Sequence, residues 1–72
     1  VLKTYVPDDN FEQYLETHDA TGNSLTLGDP NSMGDGIANN DSVITSTLSG
    51  ATWLDIQGLN IADITGIADL LL

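Results

Sequence analysis

Cysteine is absent from these 72 residues, and cations are nearly so, with Lys3 alone against eleven acidic residues. The missing cysteines exclude disulfide staples but leave the redox compartment open, because a reducing cytosol and an exported protein without disulfides suit such a chain equally. The missing cations exclude binding built on phosphate contacts, and a formal charge of −10 disfavours nucleic acid and anionic membrane surfaces alike. The longest apolar run is Leu70 to Leu72, far short of the ~20 residues that a spanning helix needs. Val1 to Val6 is too short for the apolar core of a signal peptide, so a processed amino terminus is the expectation. His18 is the lone histidine and has no second histidine or cysteine with which to share a metal. The serines lie in no nucleophile elbow, the glycines make no phosphate-binding fingerprint, and the scattered acids single out no pair for acid–base work. These absences predict a non-enzyme whose acidic surface serves solubility. A chain this short forms at most one small domain and buries only about 60% of its unfolded surface.

Val1 to Val6 alternates weakly and reads as an edge strand or an arm, which Pro7 stops. Asp8 or Asp9 can then accept from the free N–H groups of a following helix, with Asp9 and Glu12 spaced as a capping box. Phe11, Tyr14, Leu15 and His18 recur at helical spacing, so a helix over about 8–19 is expected, its acidic first turn suited to the positive end of the dipole. From Ala20 to Ser42 the composition shifts, only six of the 23 residues being apolar. A loop of that length within a compact unit needs a reason. The run Asn31-Ser32-Met33-Gly34-Asp35-Gly36-Ile37-Ala38-Asn39-Asn40-Asp41 is similar to a calcium loop, which requires oxygen ligands at alternate positions and a glycine at the sharp turn. On that reading Asp29, Asn31, Asp35 and Asp41 ligate calcium, the one cofactor the sequence suggests. Met33 falls where an oxygen belongs, and the run is one residue short. The competing reading is a solvated turn cluster whose Asn, Asp and Gly residues satisfy their own backbone.

The stretch from Leu48 to Leu72 has the strongest pattern. Leu54 and Ile56 alternate across Asp55 as a half-buried strand does, whereas Leu48, Ala51 and Leu54, then Ile61, Ile64, Ile67 and Leu70, recur every third residue. In an α-helix of ~3.6 residues per turn a step of three drifts backwards about 60° each time, so these residues would smear around the circumference. The spacing instead fits one short strand, a turn at Gly58 and a returning arc whose apolar residues all point into one flat core. That is the shape of a leucine-rich repeat.

Leu54-Asp55-Ile56 followed by Asn60-Ile61-Ala62-Asp63-Ile64-Thr65-Gly66-Ile67 resembles the opening repeat of secreted bacterial leucine-rich-repeat surface proteins, especially those exported by the type IX secretion route. Thr4-Tyr5-Val6-Pro7-Asp8-Asp9-Asn10-Phe11-Glu12-Gln13 resembles the start that caps those solenoids. The family's ladder asparagine would fall at Leu59, with Asn60 one place late, an irregularity that suits a capping repeat. The resemblance implies an α+β chain in two parts. Residues 1–47 form an N-terminal cap, with a short cap helix followed by an Asx/Gly-rich loop over 20–42, and residues 48–72 form the start of a leucine-rich-repeat solenoid, truncated within its first repeat. It also implies an extracellular or cell-surface location.

If Leu54 and Ile56 face inward, Trp53, Asp55 and Gln57 face outward, onto the surface that solenoids present to partners. Tryptophan is enriched among binding hot spots, so Trp53 reads as the anchor for a protein or glycan partner; the alternative is that it packs on a neighbouring segment. Three functions follow: a capping and interaction module of an exported, adhesive surface protein, a small calcium-dependent structural module, or a passenger segment handled by export machinery. None calls for nucleic acid or for membrane insertion.

Overall fold

Alternation in the first six residues becomes a strand, β1 (Lys3–Tyr5), in the computed structural model, which describes residues 2–68. Thr4 points inward and is buried while Lys3 and Tyr5 face out. β1 pairs antiparallel with β2 (Ser42–Ile44), placing Lys3 opposite Ile44, Thr4 opposite Val43 and Tyr5 opposite Ser42. The Val6 N–H donates to the Asp41 carbonyl at 2.8 Å and the Thr45 N–H to the Leu2 carbonyl at 3.1 Å, which lengthens the ladder at both ends. The hydroxyls of Thr4 and Thr45 share a buried hydrogen bond of 2.7 Å, so two inward polar side chains satisfy each other.

Pro7 ends β1, and Asp8 caps α1 (Asp9–Glu16) by accepting from the Phe11 N–H at 3.0 Å. The helix is shorter than its periodicity suggests. Thr17 leaves helical geometry and turns its hydroxyl back to the Gln13 carbonyl at 2.8 Å, so His18 lies beyond the helix. Its ring stacks on Tyr14 with centroids 3.9 Å apart. Glu12 also departs from expectation: its carboxylate turns inward to the distant loop instead of completing a capping box. A second helix, α2 (Thr45–Ser49), follows β2 directly and stops at Gly50. Its Thr-Ser-Thr-Leu-Ser sequence has no apolar period, so only its packing against β2, through buried Thr45 and Leu48, accounts for it.

The core lies in the amino-terminal two thirds of the chain. Val6, Phe11, Leu15, Met33, Val43 and Leu48 are fully buried, with Tyr14 nearly so. Met33, which reads as a misplaced ligand in the sequence, is a core residue. The flat core expected from the three-residue spacing is therefore a rim: Ala51, Leu54, Ile56, Ile61 and Ile67 pack half-buried against the cluster, and Ile64 is 52% exposed. Leu70 lies outside the described residues. The described part of the arc does not pair as a strand, turns at 57–59 and again at 65–68, and forms no solenoid. It is held instead by side chains. Asp8 accepts from the Ala62 and Asp63 N–H groups at 2.8 and 3.1 Å, and the Asn10 amide donates to the Asn60 carbonyl at 3.2 Å.

Candidate functional site

Two glutamates of α1, Glu12 and Glu16, are the centre of the polar structure. At a spacing of four on α1, Glu12 and Glu16 flank the apolar Phe11 and Leu15 and face the loop over 32–41; Glu12 is 1% exposed and Glu16 fully buried. Each carboxylate accepts from two consecutive backbone N–H groups. Glu16 takes those of Asp35 at 3.1 Å and Gly36 at 2.9 Å, and Glu12 takes those of Asn40 at 3.2 Å and Asp41 at 3.0 Å. Positive φ angles at Gly36, Asn39 and Asp41 turn the loop so that neighbouring N–H groups converge, as in an anion-binding nest. The loop that composition marks as solvated thus has four of its amides satisfied by the helix, with Ser32, Met33 and Gly34 buried. Gly34 is required by space: a Cβ there would lie 2.0 Å from the Glu16 Cδ.

Burial raises both glutamates, Glu16 to about 7 and Glu12 in the same direction, while the amide hydrogen bonds oppose the shift. Asp35 goes the other way. Burial is the largest single influence on it and pulls upward, but hydrogen bonds from the Asn40 amide, the Ile37 N–H and the Lys3 ammonium outweigh it and hold it at about 2. Its Oδ2 receives the Asn40 amide at 2.6 Å and the Lys3 ammonium at 3.0 Å.

The calcium set is not gathered. Asp35 spends its oxygens on Lys3, Asn40 and Ile37, and Asp29 closes a local turn by accepting from the Asn31 N–H at 2.8 Å, with Asn31 itself exposed. Among the described residues the acids whose oxygens lie within 4.8 Å of one another are Asp9, Glu12 and Asp41, which share only Asp41 with the expected ligands. Both oxygens of Glu12 in that group already accept loop amides.

The outward row has the expected alternation. Leu54 and Ile56 are half-buried, and Trp53, Asp55 and Gln57 are exposed, Trp53 by 61%. The Trp53 ring lies over Gly22, where a Cβ would come within 2.3 Å of its Cδ1, and the Trp53 N–H donates to the Ala20 carbonyl at 3.3 Å. One face of the indole therefore rests on the 20–22 turn while the rest meets solvent. The Asp55 N–H donates to the Tyr14 hydroxyl at 3.2 Å, which fixes the row to α1, and the Gln57 N–H closes on the Asp55 carboxylate at 3.3 Å. On the other side of Tyr14 a shallow groove of about 170 Å³ opens between Asn10, Gln13, Thr17, His18 and Leu59. The row and the groove are thus joined through one buried tyrosine.

Comparison with family models, with curated proteins and with solved structures finds no significant match to this chain. Neither Glu12 nor Glu16 was singled out by sequence reasoning as an inward group. The signal was their spacing of four beside Phe11 and Leu15, which places both at the margin of the apolar face.

Proposed function

We propose that this chain is a non-enzymatic capping and interaction module of an exported cell-surface leucine-rich-repeat protein, shielding one end of the solenoid core and lending its outward row to a protein or glycan partner. The observation that carries the reading is the graded burial of the arc. A closed core ends at Leu48, and beyond it Leu54, Ile56, Ile61 and Ile67 are only half-covered, all on the rim of that core. A following repeat of the same pattern would cover the remaining apolar surface, as stacked repeats do. The resemblance of Thr4 to Gln13 and of Leu54 to Ile67 supports the same reading, and Trp53 supplies an exposed anchor of the type enriched in hot spots.

The test is thermal unfolding of the 72-residue chain with and without an array of leucine-rich repeats fused after Leu72. The array should raise the melting temperature of the cap by at least ~8 °C, the equivalent of one to two kcal/mol in a domain of this size. A cap transition that stays in place while the array melts separately sinks the reading.

A further inference from the structure

We propose that the groove beside Tyr14 is a binding site for one neutral sugar ring, the exposed end of an uncharged glycan. The site is built on a single stripe of α1. Asn10, Gln13, Tyr14 and Thr17 recur at steps of three and four, which brings them onto one face of the helix and its last turn, while Asp9, Glu12 and Glu16 fall together on another. His18 follows at the helix end, its ring stacked on Tyr14 with centroids 3.9 Å apart and planes 11° from parallel. The remaining wall is Leu59, on the turn at 57–59. The Asn10 amide ties that turn to the helix by donating to the Asn60 carbonyl at 3.2 Å.

Charge singles the groove out. Eleven acids are spread over the 72 residues, yet no carboxylate and no ammonium lines it. A cation finds no carboxylate to pair with there, and an anion finds no ammonium and is repelled at longer range by a chain of formal charge −10. A neutral ligand fits that lining, which joins aromatic and apolar surface to a few polar groups as small-molecule sites do. Those groups have capacity to spare. The exposed Gln13 amide has no partner among the described residues, and Asn10 spends one donor on Asn60 and keeps its side-chain oxygen. His18 Nδ1 lies 2.9 Å from the Tyr14 carbonyl, an acceptor only, so it carries the ring proton and leaves Nε2 of the neutral imidazole to accept. Sugar hydroxyls both donate and accept, so the two amides and the imidazole can serve adjacent hydroxyls while the C–H face of the ring lies on the aromatic and leucine surface. At about 170 Å³ the groove seats one ring rather than an extended segment. It is complete within residues 10–59, so it needs no following repeat and is separate from the Trp53 row.

The experiment is a nitrogen-15 chemical-shift titration of the 72-residue chain with glucose, galactose, mannose and N-acetylglucosamine, alongside glucuronate and a Gly-Ser-Gly peptide blocked at both ends. At least one neutral sugar should move the side-chain amides of Asn10 and Gln13 and the backbone amides of Thr17, His18 and Leu59 together. The shifts should saturate with a Kd on the order of 1 to 10 mM, as a ring of about a dozen heavy atoms gives at the ligand efficiency of larger ligands. Glucuronate should bind about fivefold or more weakly than the best of the four, because its carboxylate meets no cation and a negative field. Gln13→Ala, an exposed change to a good helix former, should weaken binding about fivefold or more through one lost hydrogen bond, whereas Trp53→Ala should leave it unchanged. No saturable shift with any of the four sugars, equal binding of glucuronate, tighter binding of the peptide at the same amides, or unchanged binding in Gln13→Ala would each overturn the site. Loss of binding in Trp53→Ala would move the sugar to the outward row and overturn it as well.

Discussion

The two ends of this chain use opposite means to order themselves. Residues 2–48 have a closed apolar core of side chains from α1, β2 and α2 together with Val6 and Met33, and even their loop is drawn in by buried glutamates. Residues 51–68 have no paired strand among the described residues, bury no side chain fully, and pack half-buried on the rim of that core, tied to it by polar contacts from Asp8, Asn10 and Tyr14. Yet the second part has the stronger apolar periodicity. The difference teaches that period reports where side chains are meant to point, whereas burial depends on what is there to meet them. In a repeat architecture that partner is the next unit.

The comparison breaks most sharply through core truncations. Phe11→Ala or Leu48→Ala, each removing a fully buried side chain, should cost about 3 to 5 kcal/mol in chemical denaturation and leave a 72-residue domain barely folded. Leu54→Ala, on the half-buried rim, should cost no more than about 2 kcal/mol in the same assay. Equal losses at Leu48 and Leu54 would erase the distinction between the two regions. Next comes Gly34→Ala, whose added methyl must displace the Glu16 carboxyl group; a loss of about 1 to 3 kcal/mol is expected, as for overpacking elsewhere.

The dependence of stability on pH is a third measure. Glu16 gives up to about 3 kcal/mol below pH 4.5, which disappears as pH rises to about 7. Asp8, Asp19, Asp35 and Asp63 all lie below their ordinary value, so their contribution is present above about 3.8 and fades as pH falls beneath it. The two limbs predict a stability maximum in mild acid, between about pH 4 and 5, readable from melting temperatures across the range. The smallest effect on folding belongs to Trp53→Ala, below about 1 kcal/mol because the ring is largely exposed; against a bound partner the same change should cost at least ~2 kcal/mol. Asp8→Ala should free the arc selectively, accelerating amide exchange at Ala62 and Asp63 more than in β2.

Local features of this fold were legible in the sequence. The alternation before Pro7 marks β1, Asp8 and the Phe11, Tyr14 and Leu15 spacing mark α1, and the inward Leu54 and Ile56 fix the outward row. What was not legible depends on distance. β2 pairs with a strand 39 residues away and is only three residues long, too short for a pattern of its own. α2 exists because Leu48 packs, against the preference of Thr-Ser-Thr for caps and turns. The loop over 20–42 reads as solvated because composition counts polar residues without asking where their amides point. Glu12 and Glu16, eighteen residues or more upstream of Gly34, supply acceptors for four of them. The same blindness made Met33 a flawed calcium ligand when it is a core side chain.

A closed amino-terminal core carries an incompletely buried arc, and native-state hydrogen exchange separates the two. Amides of α1 and β2 should be protected to near the global unfolding free energy, while those of Asp55 and of residues 61 to 67 should exchange at least about a hundredfold faster and slow when a repeat is fused behind them. Uniform protection from β1 through Ile67 in the 72-residue chain would contradict it.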